Sequence, residues 1–302
     1  MALPGPRTEI DGFTRPVGLT KYAVLGAYRY LRVQRPVTAL LGPQYRPASD
    51  LLEMDVTYAC DLGCPNCNRS CRQAPSLHEI SLEQVEVFVS ASLESRRHWS
   101  RVRLLGGEPT LHKHIREIIQ ILLDGLGPHG TRVELATNGY GPKAMKLLAE
   151  LPDTVSIENS HKTGPLNPHF RPFNRAPKDQ RRYALADYSN LCHIPQVCGL
   201  GMTPSGFYAC AIAGGIDRVA GLDIGRKKLP APDDDFTDQA EQLCSLCGRF
   251  LDGHFIPHNF RRPLNGESWS ESWSMLYRDY KHAPPSLSPC FRKSGHAEVV
   301  SP

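Results

Sequence analysis

LLEMDVTYACDLGCPNCNRSC, residues 51–71, is the stretch from which the rest of the chain is read. Its opening, 51–58, is apolar and β-prone and reads as a strand. Cys60, Cys64 and Cys67 follow at once in a C-x3-C-x2-C spacing, with Cys71 four residues further on. Soft thiolates suit iron–sulfur chemistry, and three at this spacing hold three irons of a four-iron cluster while the fourth iron stays open. An open iron is a reaction site, as an open coordination position is in catalytic zinc. Zinc is the alternative occupant, with Cys71 or His78 as the fourth ligand.

Downstream the pattern alternates. Helices are expected over 82–98, 114–126 and 143–151, and strands over 101–105, 133–136 and 154–158. Ser81 with Gln84 forms a capping box for the first helix, and Ile115, Ile118, Ile119, Leu122 and Leu123 make one apolar face of the second. Strand alternating with helix implies parallel βα units, in which ligands bind at the C-terminal strand ends. Two further motifs sit at such ends, L-L-G-G-E-P-T-L-H over 104–112 and E-L-A-T-N-G over 134–139. All three therefore reach one rim. Gly106 and Gly107 let backbone approach a ligand, and Glu108 offers an acceptor for an ammonium group.

This combination resembles the radical S-adenosylmethionine (SAM) superfamily over about residues 50–160. The resemblance implies a partial (β/α)6 barrel of α/β class. It implies a [4Fe-4S] cluster on Cys60, Cys64 and Cys67, with SAM held by Gly106, Gly107 and Glu108 and its ribose faced by Thr137, Asn138 and Gly139. The residue before the third cysteine, commonly aromatic in the family, is Asn66 here. The implied chemistry is a 5′-deoxyadenosyl radical that takes hydrogen from a substrate C–H bond. The electron comes from a donor such as flavodoxin or ferredoxin.

A second cysteine group lies further on. Cys198 to Cys210 reads as a hairpin turning at Pro204-Ser205-Gly206, and Cys244 with Cys247 is a C-x2-C pair. Four thiolates suffice for zinc or for a second four-iron cluster. Over about residues 190–250 this resembles the shortened auxiliary-cluster ("twitch", half of SPASM) domains of some radical SAM enzymes. Such a small C-terminal domain implies a second [4Fe-4S] cluster on Cys198, Cys210, Cys244 and Cys247, with Cys192 as the substitute ligand. The expected division is a helical extension over 1–50, the core over 51–190, the auxiliary domain over 191–250, and a helical extension and tail over 251–302.

The remainder bounds the chemistry. A chain of 302 residues with 40% hydrophobic and 22% charged residues is an ordinary globular composition. A net charge of +4 gives no nucleic-acid signature. No apolar run reaches membrane-spanning length and the N-terminus lacks a basic-then-apolar leader, so a cytoplasmic protein is expected, its ten cysteines ligands rather than disulfides. A helix is expected over 18–34, stopped by Pro36, with Tyr22, Tyr28 and Tyr30 packed. Trp269 and Trp273 are expected to pack from a C-terminal helix. The Pro-rich stretch 159–177, carrying His161, Lys162, His169, Arg171, Asn174 and Arg175, is expected to face substrate.

Cys71, Cys192 and Cys290 are left as candidate hydrogen donors. The short chain is similar to carbohydrate-modifying members of the family from antibiotic pathways, both epimerases and dehydrogenases. A returned hydrogen atom gives redox-neutral epimerisation of a sugar-like intermediate, the favoured expectation. Loss of an electron to the auxiliary cluster gives dehydrogenation of a carbinol. Modification of a ribosomal peptide and a structural zinc protein are the remaining alternatives.

Overall fold

Six strands form one sheet in the computed structural model, which describes residues 19–162, 164, 173–253 and 268–291. The N-terminal segment is α1 (Leu19–Arg32) and α2 (Arg35–Leu41). Then come β1 (Leu51–Thr57), α3 (Leu82–Glu94), β2 (Arg101–Gly106), α4 (Ile115–Leu126), β3 (Arg132–Thr137), α5 (Gly141–Ala149) and β4 (Ser156–Asn159). The C-terminal part adds α6 (His193–Val197), β5 (Leu200–Thr203), β6 (Gly206–Tyr208), α7 (Ala211–Ala220), α8 (Thr237–Leu243), α9 (Arg249–Asp252) and α10 (Glu271–His282). The strand order is β4-β3-β2-β1-β5-β6.

β1 to β4 are mutually parallel, β5 runs parallel to β1, and β6 returns antiparallel to β5. This is the α/β, partial-barrel arrangement expected of parallel βα units. The expected hairpin forms, with Thr203 opposite Gly206, so Pro204 and Ser205 alone make the turn. Its strands lie beyond the expected boundary at residue 190, yet β5 extends the core sheet beside β1.

Period two decides which face is dry. Leu52, Met54, Val56, Val102, Leu104, Val133 and Leu135 are buried against Val85, Phe88, Ile118 and Leu122 of the flanking helices. The other face carries Glu53 and Asp55 of β1, Arg101 and Arg103 of β2, Glu134 of β3 and Glu158 of β4. All but Glu158 are fully buried, and Glu158 is half-buried.

Three local expectations differ from the structure. Pro36 does not only end a helix; it lies in the first turn of α2, where its missing N–H costs nothing. Tyr28 does not pack inward but is 54% exposed, and Tyr30, 37% exposed, packs only edge-on against the Tyr183 ring, because α1 buries Arg29 and Arg32 instead. The side chain of Tyr22 lies outside the described residues. α3 ends at Glu94 rather than 98, where Arg96 turns to φ +52°. The capping box on Ser81 and Gln84 is present, and Trp273 is fully buried against Tyr277.

Candidate active site

The cysteine loop leaves the C-terminal end of β1 and is pinned by Arg69, which lies between Cys67 and Cys71. Its guanidinium sits 3.3 Å from Glu53 Oε2 and 3.3 Å from both Asp55 oxygens. Arg218 of α7 holds the same loop from above, donating to the Arg69 and Ala74 carbonyls at 2.8 Å. The charge layer continues through Arg103, which pairs with Glu53 at 3.4 Å, with Glu134, and with Glu158 at 2.8 Å. Burial pushes Asp55 up to about 6 against the pull of Arg69. It also raises Glu158, with Arg103 opposing.

Asn66 occupies a left-handed conformation, φ +53°, that suits asparagine better than an aromatic residue. It is fully buried, and its Oδ1 accepts from Ser268 N at 3.2 Å. That spot is thus committed to holding the approach to α10.

Gly106 and Gly107 have a packing reason that adds to ligand access. A Cβ on Gly106 would lie 2.3 Å from Thr57 O, and one on Gly107 2.1 Å from Ala59 O. Backbone crosses backbone here, and Gly107 N and Glu108 N donate to those same carbonyls at 2.7 and 2.8 Å. Glu108 is fully buried. Its Oε1 accepts from Thr110 N at 3.1 Å and from Thr137 Oγ1 at 2.8 Å, and its Oε2 from Asn138 N at 2.8 Å. Asn138 Nδ2 donates to Asp61 Oδ1 at 2.7 Å, tying the T-N-G turn to the cysteine loop.

These elements enclose one cavity of about 220 Å³, lined by Cys60, Cys64, Cys67 and Cys71, by Gly106 and Gly107, and by Thr137 and Asn138. Arg69, Glu158, Ser160 and Lys162 complete its polar wall. Burial lifts the Cys60 thiol to about 12, whereas a hydrogen bond with Cys71 holds Cys67 below the ordinary thiol range. The alternative zinc ligand His78 is exposed and does not line the cavity. Of the 159–177 stretch, Ser160 and Lys162 line it; Asn174 and Arg175 instead bond to Tyr277 and Ser268. His169 and Arg171 lie outside the described residues.

A second, apolar cavity is lined by four of the other six thiols. Cys192, Cys210, Cys244 and Cys247 line it with Leu191, Ile212 and Phe250, and Arg249 closes one side. Cys198 does not line it; it lies by Arg101, which donates to its carbonyl at 3.3 Å. The candidate donors thus separate. Cys71 is in the first cavity and Cys192 in the second. Cys290 is buried away from both, its sulfur between Gln84 Nε2 at 3.2 Å and Thr203 O at 3.4 Å.

Residues 54–183 match the radical SAM superfamily. The chain carries a radical SAM domain. The chain is 28% identical over 116 residues to a 7,8-dihydro-6-hydroxymethylpterin dimethyltransferase of Methanocaldococcus jannaschii, covering 38% of this chain and 22% of that protein. It is 32% identical over 89 residues to a GTP 3′,8-cyclase of Haemophilus ducreyi, covering 30% of this chain and 26% of that one. The alignments thus span about a quarter of the length of these relatives. Among solved structures, BtrN in complex with AdoMet and 2-DOIA superposes with a TM-score of 0.38 at 13% identity, over 65% of this chain and 87% of that one.

The first cavity suits the cluster and SAM that the domain implies. The first offers three loop thiols facing bare glycine backbone and an asparagine amide, a donor set for a cluster with an open position and a ligand beside it. The second offers four thiols in an apolar wall. Among the described residues no three His, Cys, Asp or Glu side chains converge as around a single ion. Each set shares a cavity rather than a point.

The period-two charges on β1 to β4 went unused in the sequence reading. Their signal was there: L-E-M-D, R-V-R-L and V-E-L alternate charge with apolar residues in three successive strands.

Proposed function

We propose that this chain is a radical SAM enzyme that removes a hydrogen atom from a C–H bond of a small polar substrate. One observation carries the reading: Cys60, Cys64 and Cys67 share a cavity with Gly106, Gly107, Thr137 and Asn138 at adjoining strand ends. When bound, the two clusters and SAM supply a hydrogen-abstracting radical at one cavity and a one-electron sink at the other. The chain's part is to hold and orient. Arg69 fixes the cysteine loop on the charged sheet face. Glu108 fixes the T-N-G turn, leaving the glycine backbone open to SAM. Glu158, Ser160 and Lys162 give the cavity wall hydrogen-bonding groups that fit a sugar-like, polyhydroxylated substrate.

Between the two outcomes, dehydrogenation of a carbinol is the better supported. Four thiols share the second cavity, so an auxiliary cluster there would be closed by protein sulfur, with Cys192 in place of Cys198. Epimerisation keeps one support. Cys71 alone of the three candidate donors lines the first cavity. The electron donor is a small reducing protein of flavodoxin or ferredoxin type. Among the described residues no helix is long and apolar enough to cross a membrane.

The test has two steps. Anaerobically reconstituted protein with dithionite should convert SAM to 5′-deoxyadenosine, and Cys60→Ala should abolish this; equal turnover in both proteins would end the radical SAM reading. With polyhydroxylated sugar substrates, dehydrogenation gives a product two hydrogens lighter with one SAM consumed per turnover. An isomer carrying solvent deuterium, lost in Cys71→Ala, would establish epimerisation instead.

A further inference from the structure

Among the described residues Arg29 is the largest charged side chain that is fully buried, 1% exposed, and it comes from α1, outside the matched domain. Its Nε donates to Phe250 O at 3.1 Å, and its Nη2 to Phe250 O at 3.0 Å and to Leu191 O. Nη1 donates to Gln44 Oε1 at 2.6 Å. Every one of these acceptors is neutral. The guanidinium carbon lies 4.5 Å from the Phe250 ring centre. Room for it is made by Gly253 at φ +65°, where a Cβ would stand 2.2 Å from Arg29 Nε.

A buried cation supplied only with neutral acceptors is costly, and native proteins normally place a counter-charge nearby. The carbonyls that Arg29 grips belong to Leu191, next to Cys192, and Phe250, three residues past Cys247. Arg249, on α9, lines the thiol cavity itself. The negative charge that this region lacks is the charge that four thiolates around iron would bring.

We propose that Arg29 is the buried counter-cation of an iron–sulfur cluster held by Cys192, Cys210, Cys244 and Cys247, and that its charge raises the reduction potential of that cluster. This rests on the auxiliary-cluster reading above. Reduction adds one electron and changes no bond, so the reduced state carries one more negative charge. A fixed cation in a poorly polarisable interior stabilises that state more than the oxidised one. Arg29 is thus a positioning and tuning residue that makes the second cluster a readier electron acceptor, and α1 becomes a working part of the C-terminal site.

The experiment is a dithionite redox titration of the reconstituted full chain, followed by electron paramagnetic resonance. A Cys60/Cys64/Cys67→Ala variant identifies the signal of the second cluster. Arg29→Gln keeps hydrogen-bonding capacity and removes the charge. Its equilibrium for reduction should fall about tenfold, equivalent to about 59 mV for a one-electron couple. Arg29→Lys, which keeps the charge, should stay near the wild-type potential. A full iron complement with an unmoved potential in Arg29→Gln overturns the proposal. If Arg29→Gln loses iron, Arg29→Lys decides: iron retained at wild-type potential supports a charge role, and iron lost from both leaves only a structural clamp, which overturns it. Absence of iron, or zinc alone, in the Cys60/Cys64/Cys67→Ala variant removes the auxiliary cluster itself, a failure distinguishable from the others.

Discussion

Glu108 shows how one residue joins three parts of the site. Its carboxylate takes hydrogen bonds from Thr110 N, Thr137 Oγ1 and Asn138 N while fully buried. Truncation strands three donors, so Glu108→Ala should cost about 3 kcal/mol of stability and weaken SAM binding at least tenfold in iron-loaded protein. Urea denaturation and equilibrium dialysis measure the two; unchanged stability would mean that water replaces the carboxylate. The role of Glu108 as a strut was not legible beforehand, because G-G-E in a sequence says nothing of which backbone amides will face the acid. Asp55 carries a pH signature. Burial raises it to about 6, above its ordinary value of 3.8. Between those values the native state binds more protons than the unfolded state, so stability from this group is full below about 4 and is lost as pH rises through about 6. Wild type should lose stability relative to Asp55→Asn across that window. The opposite slope in denaturation series would mean that pairing with Arg69 outweighs burial.

At the scale of elements, the parallel βα rhythm was readable from apolar periodicity, and the strand and helix positions largely follow it. What periodicity could not convey is the charged sheet face, where acids on β1, β3 and β4 meet Arg103 of β2 and Arg69 of the cysteine loop. The tyrosines of α1 misled for a related reason: aromatic spacing suggests a core face, yet the long arginines of the same helix reach backbone carbonyls inside and turn the tyrosines outward. Arg69 is the link between sheet and cluster loop. Arg69→Met removes the partner of two buried carboxylates and should destabilise the chain by about 3–5 kcal/mol. It should also reduce iron uptake at the first cavity, measured after reconstitution beside Arg69→Lys as a partial rescue. Full iron uptake in Arg69→Met would show that the loop needs no anchor on β1.

Across the whole molecule, the two cysteine sets lie on one continuous structure, because β5 pairs with β1 and α7 packs on the cysteine loop through Arg218. The number of thiols and most of their grouping were legible in the sequence; which of Cys192 and Cys198 lines the second cavity was not. Cys198 opens the hairpin and looks like a ligand by spacing, but the short helix α6 places Cys192 in the cavity with Cys210, Cys244 and Cys247 and leaves Cys198 beside Arg101. A one-dimensional spacing cannot register which of the two enters the cavity, since the five residues of α6 separate them and Cys192 and Cys198 are its caps. Iron counting resolves it. In a Cys60/Cys64/Cys67→Ala background, reconstituted protein should retain about four irons. Adding Cys198→Ala should leave that number unchanged, whereas adding Cys192→Ala should cut it sharply and bleach the remaining visible absorption. The reverse pattern would restore Cys198 as the ligand and return Cys192 to the pool of spare thiols. Such a return would reopen the question of a second hydrogen donor.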